Sequence, residues 1–224
     1  MIPLHTHSEY SYLDGANRIK DLVDFAVQHH LPAVAVTDHG EMGSIVELAK
    51  QCDDAGIKPI FGLEAYQVED ITVHNKQEHR AHLTLWAQNQ TGLHSLFHLS
   101  TKAYLEGFYY KPRVDWNLLA QHHEGLIAGS ACLAGYLADC IINQRPEKQA
   151  RAYLNRYREL FGEQFYLEIM PNSLPHQRIV NETLVRWSDE FGVSLLLTTD
   201  AHYPRQEDFA AHEALLAIQT KKTL

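Results

Sequence analysis

Short apolar runs recur along this chain between longer amphipathic stretches, and several of them end in side chains that can bind a metal. AVAVTDHG closes on Asp38 and His39, PIFGLEAY carries Glu64 near its end, GLIAGSAC ends on Cys132, and SLLLTTDAH ends on Asp200 and His202. Runs of this length read as buried strands, and the stretches between them, at 3.6-residue periodicity, read as helices. The expected strands are Ile2 to His5, Ala33 to Thr37, Pro59 to Tyr66, Ala81 to Ala87, Gly125 to Gly129, Phe165 to Met170 and Ser194 to Thr199. The expected helices are Arg18 to His30, Met42 to Ala55, Thr91 to Glu106, Pro146 to Phe161 and Pro175 to Phe191. Strands each followed by a helix predict a parallel α/β barrel, in which chemistry gathers where the strands end and the βα loops begin.

The same logic applies at the start of the chain. In LHTH, residues 4–7, His5 and His7 stand two positions apart, and on an extended backbone they face one space. That is a metal-ligand geometry, although a solvated pair of histidines would give the same letters. The bias of His, Asp, Glu and Cys toward one end of the strands favours the metal.

Composition sets bounds. The chain has 224 residues, 45% hydrophobic and 21% charged, enough for a single packed core without staples. Cys52, Cys132 and Cys140 show no paired spacing, so ligation or packing is expected of them rather than a disulfide framework. The net charge of −9 argues against a broad basic face for duplex DNA. Bound cations would neutralise part of that acidity. No apolar run approaches the roughly 20 residues of a membrane span and no signal peptide is legible, so a cytoplasmic location is expected. Histidine is unusually abundant, at 15 residues.

LHTHSEYSYLDG, VTDHG, GLEAY, AHLTLWA, GSACLAG and TTDAHYP together resemble the polymerase and histidinol phosphatase (PHP) superfamily, and within it the domain that opens bacterial DNA polymerase III alpha subunits. GFYYKPRVDW at 107–116 and the closing EALLAIQTKKTL extend the likeness over the whole chain. The resemblance implies a distorted seven-stranded (β/α) barrel over residues 1–204, with 205–224 as the start of a connection to a polymerase core. It implies three divalent metal ions, zinc with manganese or iron as alternatives, held by His5, His7, Asp14, His39, Glu64, His82, Cys132, Asp200 and His202. One ion would take His5, His7, Glu64 and Asp200, a second Glu64, His82 and Cys132, and the third Asp14, His39 and His202.

The activity so implied is metal-dependent 3′–5′ exonuclease proofreading beside a polymerase, with Glu64, Asp200 and His202 as catalytic residues. Its partners would be a single-stranded or mismatched DNA 3′ end, the rest of the polymerase chain and a separate proofreading subunit, with no membrane. A small-molecule phosphatase of the histidinol phosphate type shares the metal cluster, but GFYYKPRVDW and the closing segment argue against it. A metal-stapled scaffold without catalysis is the third reading.

Lys111 and Arg113, cations flanked by aromatics, are the expected phosphate-binding residues, with ordinary surface placement the alternative. Tyr10, Tyr12, Tyr109 and Tyr110 could stack a terminal base or simply pack. Asp38 fits two roles equally, orienting a ligand or capping the helix that starts near Glu41. Cys52 and Cys140 are expected to pack. His29, His30, His94, His98, His122, His123 and His212 are expected on the surface or at caps.

Overall fold

The computed structural model describes residues 1–223. Among the described residues there are seven strands: β1 (Ala33–Val36), β2 (Lys58–Gln67), β3 (Ala81–Ala87), β4 (Arg113–Val114), β5 (Leu126–Gly129), β6 (Phe165–Ile169) and β7 (Leu195–Leu197). The helices are α1 (Ile19–Gln28), α2 (Ile45–Ala55), α3 (Gln90–Leu105), α4 (Trp116–Gln121), α5 (Tyr136–Ile142), α6 (Glu147–Phe161), α7 (Pro175–Phe191) and α8 (Phe209–Thr220). Local chemistry sets several ends. Pro175 occupies the first turn of α7, where its missing N–H costs nothing, and Gly192 ends that helix at φ 64. Gly56 ends α2 in the same left-handed conformation.

The strands form one curled sheet, a half-barrel, in the order β1-β2-β3-β5-β6-β7, with β4 pairing β2. The pairs β1–β2, β2–β4, β5–β6 and β6–β7 are parallel, whereas β3 runs antiparallel to both β2 and β5. The all-parallel expectation fails there because no helix separates β2 from β3, and without a crossover the chain returns in the opposite direction.

The strand count agrees with expectation, but the set differs. Ile2 to His5 is irregular, and Pro3 within it has no N–H to give to a ladder. Its place in the count is taken by β4, which pairs with the end of β2 at Tyr66 and Gln67. The N-terminal segment instead spans the gap between the ends of β1 and β7. Thr37 N donates to Thr6 O at 2.8 Å, His7 N to Ala201 O at 2.9 Å, and Ala201 N to His5 O at 3.1 Å. His5 and His7 are thereby fixed at the rim of the sheet by backbone bonds to both sides.

The main core lies between the sheet and α3 to α7, with Leu63, Leu83, Leu85, Leu96, Leu99, Leu154 and Phe165 fully withdrawn from solvent. A second cluster packs α1 and α2 on β1 through Ile19, Val23, Val34, Val36, Leu48 and Cys52. Cys52 and Cys140 are both buried packing residues.

Candidate metal centre

Glu64, wholly buried on β2, stands at the middle of a ring of histidines. Its Oε1 lies 3.0 Å from His5 Nε2 and 3.0 Å from His82 Nδ1, and its Oε2 lies 2.7 Å from His39 Nδ1 and 3.4 Å from His7 Nε2. Asp200 closes one side, with Oδ1 at 3.1 Å from His7 Nε2 and 3.3 Å from His5 Nε2. Asp14 closes the other, with Oδ2 at 2.9 Å from His39 Nε2 and 3.7 Å from His202 Nε2. Cys132 Sγ sits 3.5 Å from His82 Nδ1 and 3.8 Å from Glu64 Oε1. All nine side chains expected at the centre therefore meet at one end of the half-barrel.

Strand direction explains how each arrives. His39 follows β1, Cys132 follows β5 and Asp200 follows β7, all at C-terminal strand ends. His82 is the second residue of β3, and because β3 is antiparallel, the start of that strand lies at the same rim. Backbone conformation is unusual at three of these arrivals. Leu13 before Asp14, Ala131 before Cys132 and Asp200 itself have φ of 60°, 59° and 50°. Non-glycine residues in the left-handed region persist only where surrounding structure imposes them.

Three buried ring and carboxylate atoms, His5 Nε2, His39 Nδ1 and Glu64 Oε2, make no hydrogen bond of acceptable geometry among the described residues. They nonetheless face one another at short range, which fits lone pairs meeting at a cation. Donor atoms gather in three groups, each with its atoms within 4.8 Å of one another: His5, His7 and Asp200; His39, Glu64 and His82; and His7, His39 and His202. The mixed N, O and S set suits zinc, and its carboxylates also suit manganese or iron. The grouping differs from the expected division, since His39 joins Glu64 and His82 as well as His202, and both His7 and His39 fall into two groups.

Electrostatics without an ion are those of imidazolium and carboxylate. Burial opposes a charge on His5, but Asp200, Glu64 and Glu168 outweigh it and raise its pKa well above the ordinary value. His39, also opposed by burial, is carried to about 9 by Glu64 and Asp14. His7 goes the other way, to about 4, because burial and the neighbouring His39 disfavour its charge. Glu64 is held well below the carboxylate range by His82, His5 and His39, which overcome its burial. Asp200 is held low against burial by His5 and His7. Burial pushes the Cys132 thiol well up, so a thiolate there requires a cation.

Two groups support the ligands: Glu168, which stands in none of the motifs, and Asp38, which stands in VTDHG. Glu168, buried on β6, places Oε2 3.1 Å from His5 Nδ1, accepts from Thr198 Oγ1 at 2.8 Å and from Ala131 N at 2.9 Å, and bonds Thr84 Oγ1. Asp38 accepts from Ser8 N, Ser8 Oγ, Ser11 Oγ and Ser44 Oγ at 2.7–2.8 Å. Since Ser11 gives its proton to Asp38, its oxygen accepts from His7 Nδ1 at 3.2 Å, which turns the Nε2 lone pair toward the centre. Asp38 thus orients a ligand and bonds no N–H of α2, so the capping alternative falls.

Other expectations are corrected. Arg113 is fully buried, and its guanidinium donates to Gly107 O, Ile71 O, Val73 O and Glu78 Oε2 at 2.6–3.1 Å. It ties the loop after β2 to β4 and has no surface to offer a phosphate. Lys111 is exposed, with Nζ 5.0 Å over the Tyr66 ring, which neighbours His39 and His82. His212 is 8% exposed and 5.7 Å from the His202 ring, so it is not a surface residue.

Residues 3–172 match the PHP domain family. This chain belongs to the PHP family. DNA polymerase III subunit alpha of Deinococcus radiodurans is 42% identical over 232 residues, covering 99% of this chain, and that of Thermus aquaticus is 41% identical over 228 residues, also covering 99%. The chain spans 17% and 19% of the lengths of these relatives. Among solved structures, a two-domain protein from Bacteroides vulgatus containing a predicted PHP-like metal-dependent phosphoesterase aligns over 95% of this chain and 55% of its own, with a TM-score of 0.57 at 16% identity. An amidohydrolase from Chromobacterium violaceum with bound sulfate covers 96% of each chain, with a TM-score of 0.56 at 15% identity. At such identities these two structures speak for the fold alone. No helix among the described residues is long and apolar enough to cross a membrane.

Proposed function

We propose that this chain is the PHP domain of a DNA polymerase III alpha subunit and that it cleaves phosphodiester bonds at a DNA 3′ end with divalent metal ions. Residues 1–204 form the domain and 205–224 begin the connection to the polymerase core. The observation that carries this reading is the convergence of nine ligand-competent side chains, three of whose buried atoms make no hydrogen bond of acceptable geometry among the described residues. Polymerase relatives at about 40% identity favour a nucleic acid over a small phosphate ester.

His5, His7, Glu64 and Asp200 would hold one ion, Glu64, His82 and Cys132 a second, and Asp14, His39 and His202 a third, with His7 and His39 near enough to serve two sites. Glu64 can bridge because its two oxygens carry separate lone pairs. When bound, the ions supply Lewis-acid activation of water and neutralise charge on the phosphate. The protein's own groups do the rest. His202 Nδ1 bonds the Asp200 carbonyl at 3.0 Å, which leaves Nε2 facing the centre, free to ligate or to take a proton. Asp200, held as a carboxylate, keeps an acceptor at the same place. Lys111 stands over Tyr66 as the cation for an incoming phosphate.

The test is a comparison of substrates on the zinc- or manganese-loaded protein. Release of nucleotide from a 3′-labelled single strand, with histidinol phosphate a poor substrate, supports the proposal. Preferential turnover of histidinol phosphate supports the phosphatase reading, and retained metal with neither activity supports a scaffold that the ions hold folded.

A further inference from the structure

The segment leading into β3 and the turn leading into β4 meet beside the metal centre, and together they carry more positive charge than the acidic chain as a whole would suggest. The Arg80 guanidinium carbon lies 6.0 Å from the Tyr109 ring centroid and 5.7 Å from that of Tyr110. Lys76 Nζ lies 5.6 Å over Tyr110, and Lys111 Nζ 5.0 Å over Tyr66. Arg80 is two residues before His82, and Tyr66 pairs with His82 across β2 and β3, so this cluster adjoins the centre.

Two details separate these residues from an ordinary surface. Arg80 is part-exposed, unlike Arg113, yet its Nε and Nη2 lie at the protein side of the guanidinium and have no hydrogen-bond partner among the described residues. Buried donors are rarely left so, because the unmade bond is destabilising. Arg113, by contrast, is committed to acceptors of the protein itself. Tyr110 is 57% exposed at φ 62, a left-handed conformation unfavourable for a bulky residue, which holds its ring outward beside two cations. Cations interleaved with an exposed aromatic face suit a single strand, whose phosphates need charge and whose unstacked bases need a ring to lie on.

We infer that Arg80, Lys76 and Tyr110 form the grip for a single-stranded nucleic acid, Arg80 taking a backbone phosphate next to the scissile one and Tyr110 the face of a base. Lys111, over Tyr66, stands between this grip and the ring of histidines. This rests on the phosphodiester reading above and assigns to Arg80 the role that the sequence assigns to Arg113.

The experiment is fluorescence anisotropy of a labelled phosphorothioate oligothymidylate on the metal-loaded protein, with inorganic phosphate as competitor. Arg80→Ala and Tyr110→Ala should each weaken binding about tenfold, about 1.4 kcal/mol. Arg80→Ala should also reduce the salt dependence of log affinity by about 0.7. Lys76→Glu, on an exposed side chain that folding does not require, should weaken binding as well. Metal content should stay constant in all three variants. Unchanged affinity in both Arg80→Ala and Lys76→Glu, or an oligonucleotide bound no tighter than phosphate, overturns the grip. Hydrolysis of bis(p-nitrophenyl) phosphate by the unmodified protein reports separately on the phosphodiester reading. If that hydrolysis is absent while the variants still lose oligonucleotide affinity, the phosphodiester reading fails and the grip stands.

Discussion

His5 Nδ1 lies 3.1 Å from Glu168 Oε2, and both side chains are completely buried. The contact fixes the ring so that Nε2 faces Glu64 and Asp200. Carboxylates behind a ligating histidine set its tautomer and raise its basicity. Glu168→Gln keeps the shape and removes the charge, so metal affinity at the His5 site should fall about 10- to 100-fold. Competition against a calibrated chelator measures this. Affinity equal to that of the unmodified protein would leave Glu168 as a packing residue.

Arg113 and Lys111 should separate cleanly in a melting experiment. Arg113→Ala leaves Glu78 and three carbonyls without their donor, and loss of one partner from a buried charged network costs about 3–5 kcal/mol. Lys111→Ala, on an exposed side chain, should leave the melting temperature unchanged. Equal, small effects would contradict the tie that Arg113 makes.

Much of this was legible in the sequence for a physical reason. A ligand at a strand end interrupts an apolar run with a polar residue, as at Asp38-His39 and Asp200, and that interruption survives in one dimension. His82 stands at the start of its run rather than the end, which is the trace left by the antiparallel direction of β3. Glu168 interrupts FYLEIM as Glu64 interrupts FGLEAY, so its signal was present, without a motif around it. The burial of Arg113 was not legible, because three of its four partners are backbone carbonyls, at Ile71, Val73 and Gly107, which carry no side-chain signature. The short β4 escaped for a related reason, since two residues show no period.

The cysteines should divide by role. Cys132→Ser should lose metal from the site shared with His82 and Glu64, because a hydroxyl is a poor replacement for a thiolate. Cys52→Ser should keep all its metal but lose about 1–3 kcal/mol of stability, since a polar hydroxyl replaces a thiol buried in the cluster of α1, α2 and β1. Metal analysis and melting curves on the two variants check this. Metal loss in both would remove any special role for Cys132.

Stability of the metal-stripped protein should pass through a maximum near pH 6.5. His39, raised to about 9, binds its proton more tightly when folded, so its contribution is complete below about pH 6.5 and is lost as pH rises through about 9. His5 acts in the same sense. His7, lowered to about 4, stays neutral when folded while the unfolded chain takes up a proton, so stability falls as pH drops from about 6.5 toward 4. Bound metal should reverse the alkaline arm, because protons then compete with the ions. Denaturant titrations with and without chelator give both profiles, and stability of the stripped protein rising from pH 7 to 9 would contradict the charge assignment.

Release of the 3′-terminal nucleotide from a labelled single strand, compared between the metal-loaded protein and its Asp200→Asn variant, bears most directly on catalysis by this centre. The amide keeps the shape of Asp200 but is a weaker ligand beside His5 and His7. The unmodified protein should release nucleotide, and the variant should do so orders of magnitude more slowly while its melting temperature changes only modestly. A fully metal-loaded unmodified protein that releases nothing from single-stranded or mismatched ends, with Asp200→Asn altering only the melting temperature, would contradict hydrolysis and leave the ions as a staple for the fold.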